Sequence, residues 1–141
     1  MALNKLNHNY IEPLEVSSLT VDNFSPNSLT FSGAYSITNK DIVISSTSST
    51  VIDTFPAANY STAEYLLQIT QDGRVTSSKI LLVNNRTVVN HTQFGILSAG
   101  EEISSTITST IVGGNVRLSI SIPKANVWNA SLKIFKTSVT S

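Results

Sequence analysis

At 141 residues with a formal net charge of zero, the chain can build one hydrophobic core and has no cluster of cations of the kind that neutralises nucleic-acid phosphates. It contains no cysteine, which excludes disulfides and thiolate chemistry. Apolar residues make up 40% and charged residues only 13%; Ser and Thr, roughly a quarter of all positions, supply the polarity instead.

This is not a disordered composition, so the hydroxyls belong mostly to strand faces and loops. Near-zero net charge also favours self-association. The first ten residues lack the apolar core of an export signal, and no run approaches the roughly 18 apolar residues of a membrane span. The expectation is a chain made in a cytosol, with no membrane and no nucleic acid among its partners.

Residues 1–16 mix Asn and charge with Leu3, Leu6, Tyr10, Ile11 and Leu14, interrupted by Pro13. The spacing is too short for an independent helix. The segment reads either as a lead-in to the first strand or as an N-terminal arm that lays Leu3, Leu6, Tyr10 and Ile11 on a neighbouring subunit. Residues 17–49 read as additional strands or a hairpin region. Leu29-Thr30-Phe31 and Ala34-Tyr35-Ser36-Ile37 look extended, Asn39-Lys40-Asp41 reads as a turn, and Ile42-Val43-Ile44 as a short strand. The hydroxyl run from Ser45 to Thr50 is a loop or seam.

Residues 50–141 form the main module. Val51 to Phe55 is a short strand ending at Pro56, and a connection leads to a long strand from Ala63 to Gln71. Asp72-Gly73 is the strongest hairpin dipeptide of the chain, with Arg74 to Val83 as its partner strand. Asn84-Asn85 turns into a strand from Thr87 to Phe94, followed by a loop from Gly95 to Gly100. Glu102 to Val112 is read as a strand, Gly113-Gly114-Asn115 as a third hairpin turn, and Val116 to Ile122 as its partner. In that last strand Val116, Leu118, Ile120 and Ile122 point one way and Arg117, Ser119 and Ser121 the other. A loop with Trp128 leads to the closing strand, Ser131 to Ser138. The predicted fold is all-β, an antiparallel β-sandwich of about seven or eight strands with an N-terminal arm. Trp128, Tyr60, Tyr65, Phe94 and Phe135 are assigned to the core or its lid.

Reactive groups are sparse. His8 and His91 lack metal-ligand spacing, and His91 on an alternating strand reads as structural. Asp41, Asp53 and Asp72 lie near turns. Glu64 has no evident partner, and Glu101 and Glu102 point to opposite faces. No serine sits in a strand–turn–helix elbow, and Gly113-Gly114 precedes a strand and so does not cradle a phosphate. No catalytic, cofactor-binding or metal-binding residue is therefore assigned, and no cofactor is expected. The Asn-X-Ser/Thr triplets at Asn59, Asn85, Asn90 and Asn129 are what this composition produces by chance.

The ordered set Thr54-Phe55-Pro56-Ala57-Ala58-Asn59-Tyr60-Ser61-Thr62-Ala63-Glu64-Tyr65-Leu66-Leu67-Gln68-Ile69-Thr70, Ser78 to Val83, Thr92-Gln93-Phe94-Gly95, Gly113 to Leu118 and Leu132 to Thr137 resembles a β-sandwich module of virion structural proteins of tailed phages, especially those of cyanobacteria and marine bacteria. The resemblance implies a non-enzymatic building block of the virion whose partners are other phage structural proteins. A capsid decoration (cement) protein bound to the major capsid protein is the first expectation. A neck, tail, baseplate or fibre component is the alternative, with self-association and a trimer among its forms. A module for host-surface carbohydrate is a further alternative, with Trp128 and Tyr60 as its ligand platform.

Overall fold

The computed structural model describes residues 28–30 and 35–141, with side chains from Ser36 onward. The interface residues Leu3, Leu6, Tyr10 and Ile11 lie outside the described residues. Nine strands occur among those described, with no helix: β1 (Ser28–Thr30), β2 (Tyr35–Ile44), β3 (Thr50–Pro56), β4 (Tyr60–Gln71), β5 (Arg74–Asn84), β6 (Val89–Ala99), β7 (Thr106–Val112), β8 (Asn115–Ser121) and β9 (Ala130–Thr140). They form two antiparallel sheets, one of six strands in the order β1-β2-β9-β4-β5-β6 and one of three in the order β3-β8-β7. The expected all-β sandwich is what forms.

Alternation builds the interior. Val116, Leu118, Ile120 and Ile122 are fully buried, as their spacing predicts. Facing them from the larger sheet are Ala63, Tyr65, Leu67 and Ile69 of β4, Ile80 and Leu82 of β5, and Ala130, Leu132 and Ile134 of β9. These belong to a single apolar cluster that also takes Ile44, Ile52, Phe55, Ile103 and Ile107. At one flank the sheets meet through His91 Nδ1 and Ser109 Oγ, 2.7 Å apart. At the other, Lys40 Nζ on β2 donates to the Ile52 carbonyl on β3 at 3.0 Å.

The hairpin chemistry follows the dipeptides. Asp72 and Gly73 both take positive φ, 50° and 71°, and Gly113 and Gly114 do the same at 58° and 77°. Two left-handed residues in succession give the tight turn whose twist matches the flanking strands.

Three local expectations need correction. No turn forms at Asn39-Lys40-Asp41, because β2 is tied to β9 over ten consecutive partners from Tyr35–Val139 to Ile44–Ala130; a continuous ladder satisfies more backbone groups than two short pieces would. The strand after Asn85 does not stop at Phe94. It runs on through Gly95, where φ is 62°, across a register shift opposite Ser77 and Lys79. Finally, 101–105 is not strand. There the Ile103 side chain is buried and its N–H donates to Thr76 Oγ1 at 2.9 Å, so a side-chain oxygen replaces a ladder partner.

Several aromatic assignments also change. Phe94, Phe135 and Trp128 are 43%, 45% and 42% exposed. In β9 the even-numbered residues from Ala130 to Ser138 face inward, so Phe135 points out and Lys136 points in. Trp128 stands in the β8–β9 loop, where its carbonyl accepts from Gln71 Nε2 at 2.9 Å.

Candidate functional site

Among the described residues the interior contains one ion pair, and a β-bulge makes it. In β3, Val51 is opposite Ser119 and Asp53 is opposite Leu118, so Ile52 is an extra residue. The inserted residue resets the alternation. Ile52 is buried, and Asp53 directly after it also turns inward, a pairing of neighbours that a regular strand forbids.

On the facing sheet, Tyr65 of β4 and Lys136 of β9 are direct cross-strand partners. Both point at Asp53. Lys136 Nζ lies 2.7 Å from Asp53 Oδ2, and Tyr65 Oη donates to the same oxygen at 2.8 Å. The Lys136 side chain is 9% exposed and that of Asp53 20%. Lys136 Nζ also stands 4.0 Å from the Phe55 ring centroid, 5.7 Å from that of Tyr65 and 5.9 Å from that of Tyr60. Phe55 and Tyr60 meet edge to face at 6.0 Å. The ammonium thus has one carboxylate and the negative faces of three rings, the arrangement that desolvated cations require.

Burial, then the Asp53 charge and the hydrogen bond to it, push the Tyr65 phenol far above its ordinary value. It remains a protonated donor. A recess of about 300 Å³ opens beside the trio, lined by Thr38, Lys40 and Ile52 among others.

This cluster escaped the sequence reading. Asp53 looked like one more turn carboxylate, and Lys136 sat in an alternating strand whose aromatic neighbour claimed the inner face. The detectable signal was the conflict in β3: strict alternation from Phe55 puts Asp53 inside, whereas alternation from Ile52 puts it outside.

The residues singled out as a ligand platform do not come together. Tyr60 opens β4 and packs in the aromatic cage. Trp128 is tied to Gln71 at the other end of that strand, about 35 Å away at the rise of an extended chain. His91 bonds Ser109 as a structural histidine. Glu64, thought unpartnered, pairs with Lys79 at 2.9 Å on the outer face, and Glu101 with Arg74 at 3.3 Å. Among the described residues no group of three or more His, Cys, Asp or Glu is placed to hold a metal ion.

The fold and its core define the class: a small antiparallel sandwich closed by one internal charge pair. No family model matches the chain, and no curated protein matches it in sequence. Among solved structures, the tailspike protein of Acinetobacter phage vB_ApiP_P1 is similar over 92% of this chain and 26% of that one, with 14% identity and a TM-score of 0.50. The tailspike protein of Acinetobacter baumannii phage AM24 aligns over 75% of this chain and 26% of that one, at 9% identity and a TM-score of 0.44. The chain therefore spans about a quarter of either tailspike's length. At such identities the likeness is one of fold. It adds no support for the cyanobacterial type within the tailed-phage resemblance.

Proposed function

We propose that the chain is a structural β-module of a tailed-phage particle, seated at the tail, which acts through shape and stability and performs no chemistry on a substrate. The observation that carries this reading is the fold it shares with part of a phage tailspike over 92% of its own length. The independent resemblance of its ordered strand motifs to virion modules points the same way. Capsid decoration, the first expectation from sequence, draws no support from a likeness to tail proteins, so the tail alternative takes precedence.

The non-enzymatic part of the proposal is supported by how the interior charges are used. Asp53 and Lys136 answer each other across the two sheets, Tyr65 is bonded to Asp53, and Lys40 is bonded to a backbone carbonyl. Such groups hold a fold together. The proposed partners are other tail proteins and further copies of this chain, and the proposed location is the virion. The outer face of the six-stranded sheet suits contact with them: Leu66, Phe135, Leu81 and Phe94 stand on it, interleaved with Glu64, Lys79 and Gln68.

The test is to separate heads from tails in a preparation of particles that carry this chain and to quantify its peptides in each by mass spectrometry. Recovery with tails is expected. Recovery with heads would restore the decoration reading and overturn this one.

A further inference from the structure

The bulged Asp53, the caged Lys136 and the Tyr65 hydroxyl have the geometry of a reaction as well as of an ion pair. We infer that Lys136 Nζ condenses with the Asp53 side-chain carboxyl, giving an intramolecular amide that ties β9 of the larger sheet to β3 of the smaller one.

Position comes first. With Nζ 2.7 Å from Oδ2, the carboxyl carbon lies at most one bond farther from the nitrogen. Neither group needs to search for the other, since both are fixed on opposing strands of a packed core. Amide formation in water is disfavoured chiefly because the reactants are separate and ionised. Holding them together removes the first obstacle, with effective concentrations on the order of 10⁵ M or more.

Desolvation weakens the second. Three rings and the apolar core surround the ammonium and hold bulk water away from the pair.

The steps balance without any further reagent. Lys136 Nζ gives a proton to Asp53 Oδ2, leaving a free amine and a carboxylic acid. The amine lone pair attacks Cγ and forms the C–N bond, while Oδ1 takes the electron pair of the carbonyl. The nitrogen then passes a second proton to Oδ2. The Cγ–Oδ2 bond breaks, one water leaves, and Oδ1 re-forms the carbonyl of the amide. No electrons are gained or lost overall.

Tyr65 donates to the same oxygen from 2.8 Å, which fixes the carboxyl group with Oδ2 turned toward Nζ. Its phenol is held protonated by burial and by Asp53, so it is always available as the donor. The bulge at Ile52 also finds a use: bulges recur where a strand must re-aim one side chain toward a reacting partner.

The experiment is the intact mass of the purified, folded full chain, followed by peptide mapping. The expected mass is about 18 Da below that of the sequence, the loss of one water, with a branched peptide joining the segments that contain Asp53 and Lys136. Asp53→Ala and Lys136→Arg are each expected to restore the sequence mass. The native chain alone decides the matter if either variant fails to fold. A native chain that keeps its full sequence mass after days at room temperature overturns the inference. So does a deficit that maps to the dehydration-prone Asp72-Gly73 dipeptide and persists in Asp53→Ala.

Discussion

Asp53 is the residue on which most depends. A carboxylate and an ammonium taken out of water are costly unless each finds a close partner. Here the cost is met by a 2.7 Å pairing, a phenol donor at 2.8 Å and three ring faces. Removing a single atom tests how the parts share that task. Tyr65→Phe keeps the ring that packs in the core and deletes the hydroxyl that serves Oδ2. Hydrogen bonds to charged groups contribute about 1.5–3 kcal/mol each, so urea unfolding should report a loss of that size. A change under about 0.5 kcal/mol, the scatter of ordinary surface substitutions, would show that the hydroxyl does not hold Asp53. If the amide forms, the same variant should also reach its lowered mass more slowly than the native chain. Reading Asp53 from sequence required knowing where the bulge falls, and nothing in Val51-Ile52-Asp53-Thr54-Phe55 marks which residue is the extra one. Lys136 was hidden for a related reason: a one-residue change of phase exchanges Phe135 for Lys136 at the core.

At the scale of elements, legibility followed punctuation. Where Gly sits at a tight turn, the strand ends that meet the turn were placed within a residue: Gln71 and Arg74 around Asp72-Gly73, Val112 and Asn115 around Gly113-Gly114. Where pairing alone sets the boundary, local signals misled. Asn39-Lys40-Asp41 has turn residues yet is held flat by β9, and Gly95 passes through β6 as part of a register shift. The turn chemistry makes a quantitative prediction. An added Cβ at Gly73 would meet nothing within 4 Å, but φ is 71° there. The cost of Gly73→Val is therefore conformational, about 1–2 kcal/mol, and should appear as a lower urea midpoint with an unchanged m-value. A substitution without effect would mean that the β4–β5 turn relaxes to another type. Exposed β6 tells a further story of the element scale. It is the edge strand of the larger sheet, eleven residues long, with Leu97 76% exposed. Edges of that length are commonly paired or covered, which the proposed contacts with other tail proteins would do.

The described residues form two sheets joined by one apolar cluster, by flank contacts at Lys40–Ile52 and His91–Ser109, and by the internal charge pair. Its fold class was legible because alternation is a global property: strands with one dry face have to stack. Its proposed place in a phage particle was not, because neither shape nor composition names a neighbour. The proposed structural role requires the two sheets to behave as a single body, since a part that opens sheet by sheet would yield at its weaker half. The three-stranded sheet buries Val116, Leu118 and Ile120 only against the larger one, so it has no independent core. Native-state hydrogen exchange under rising urea, read on peptides from β8 (Asn115–Ser121) and β4 (Tyr60–Gln71), measures this directly. The account predicts that protected amides in both strands merge into one opening reaction with the same free energy and the same urea dependence. Exchange of β8 through a separate, lower-energy opening while β4 stays protected would contradict it.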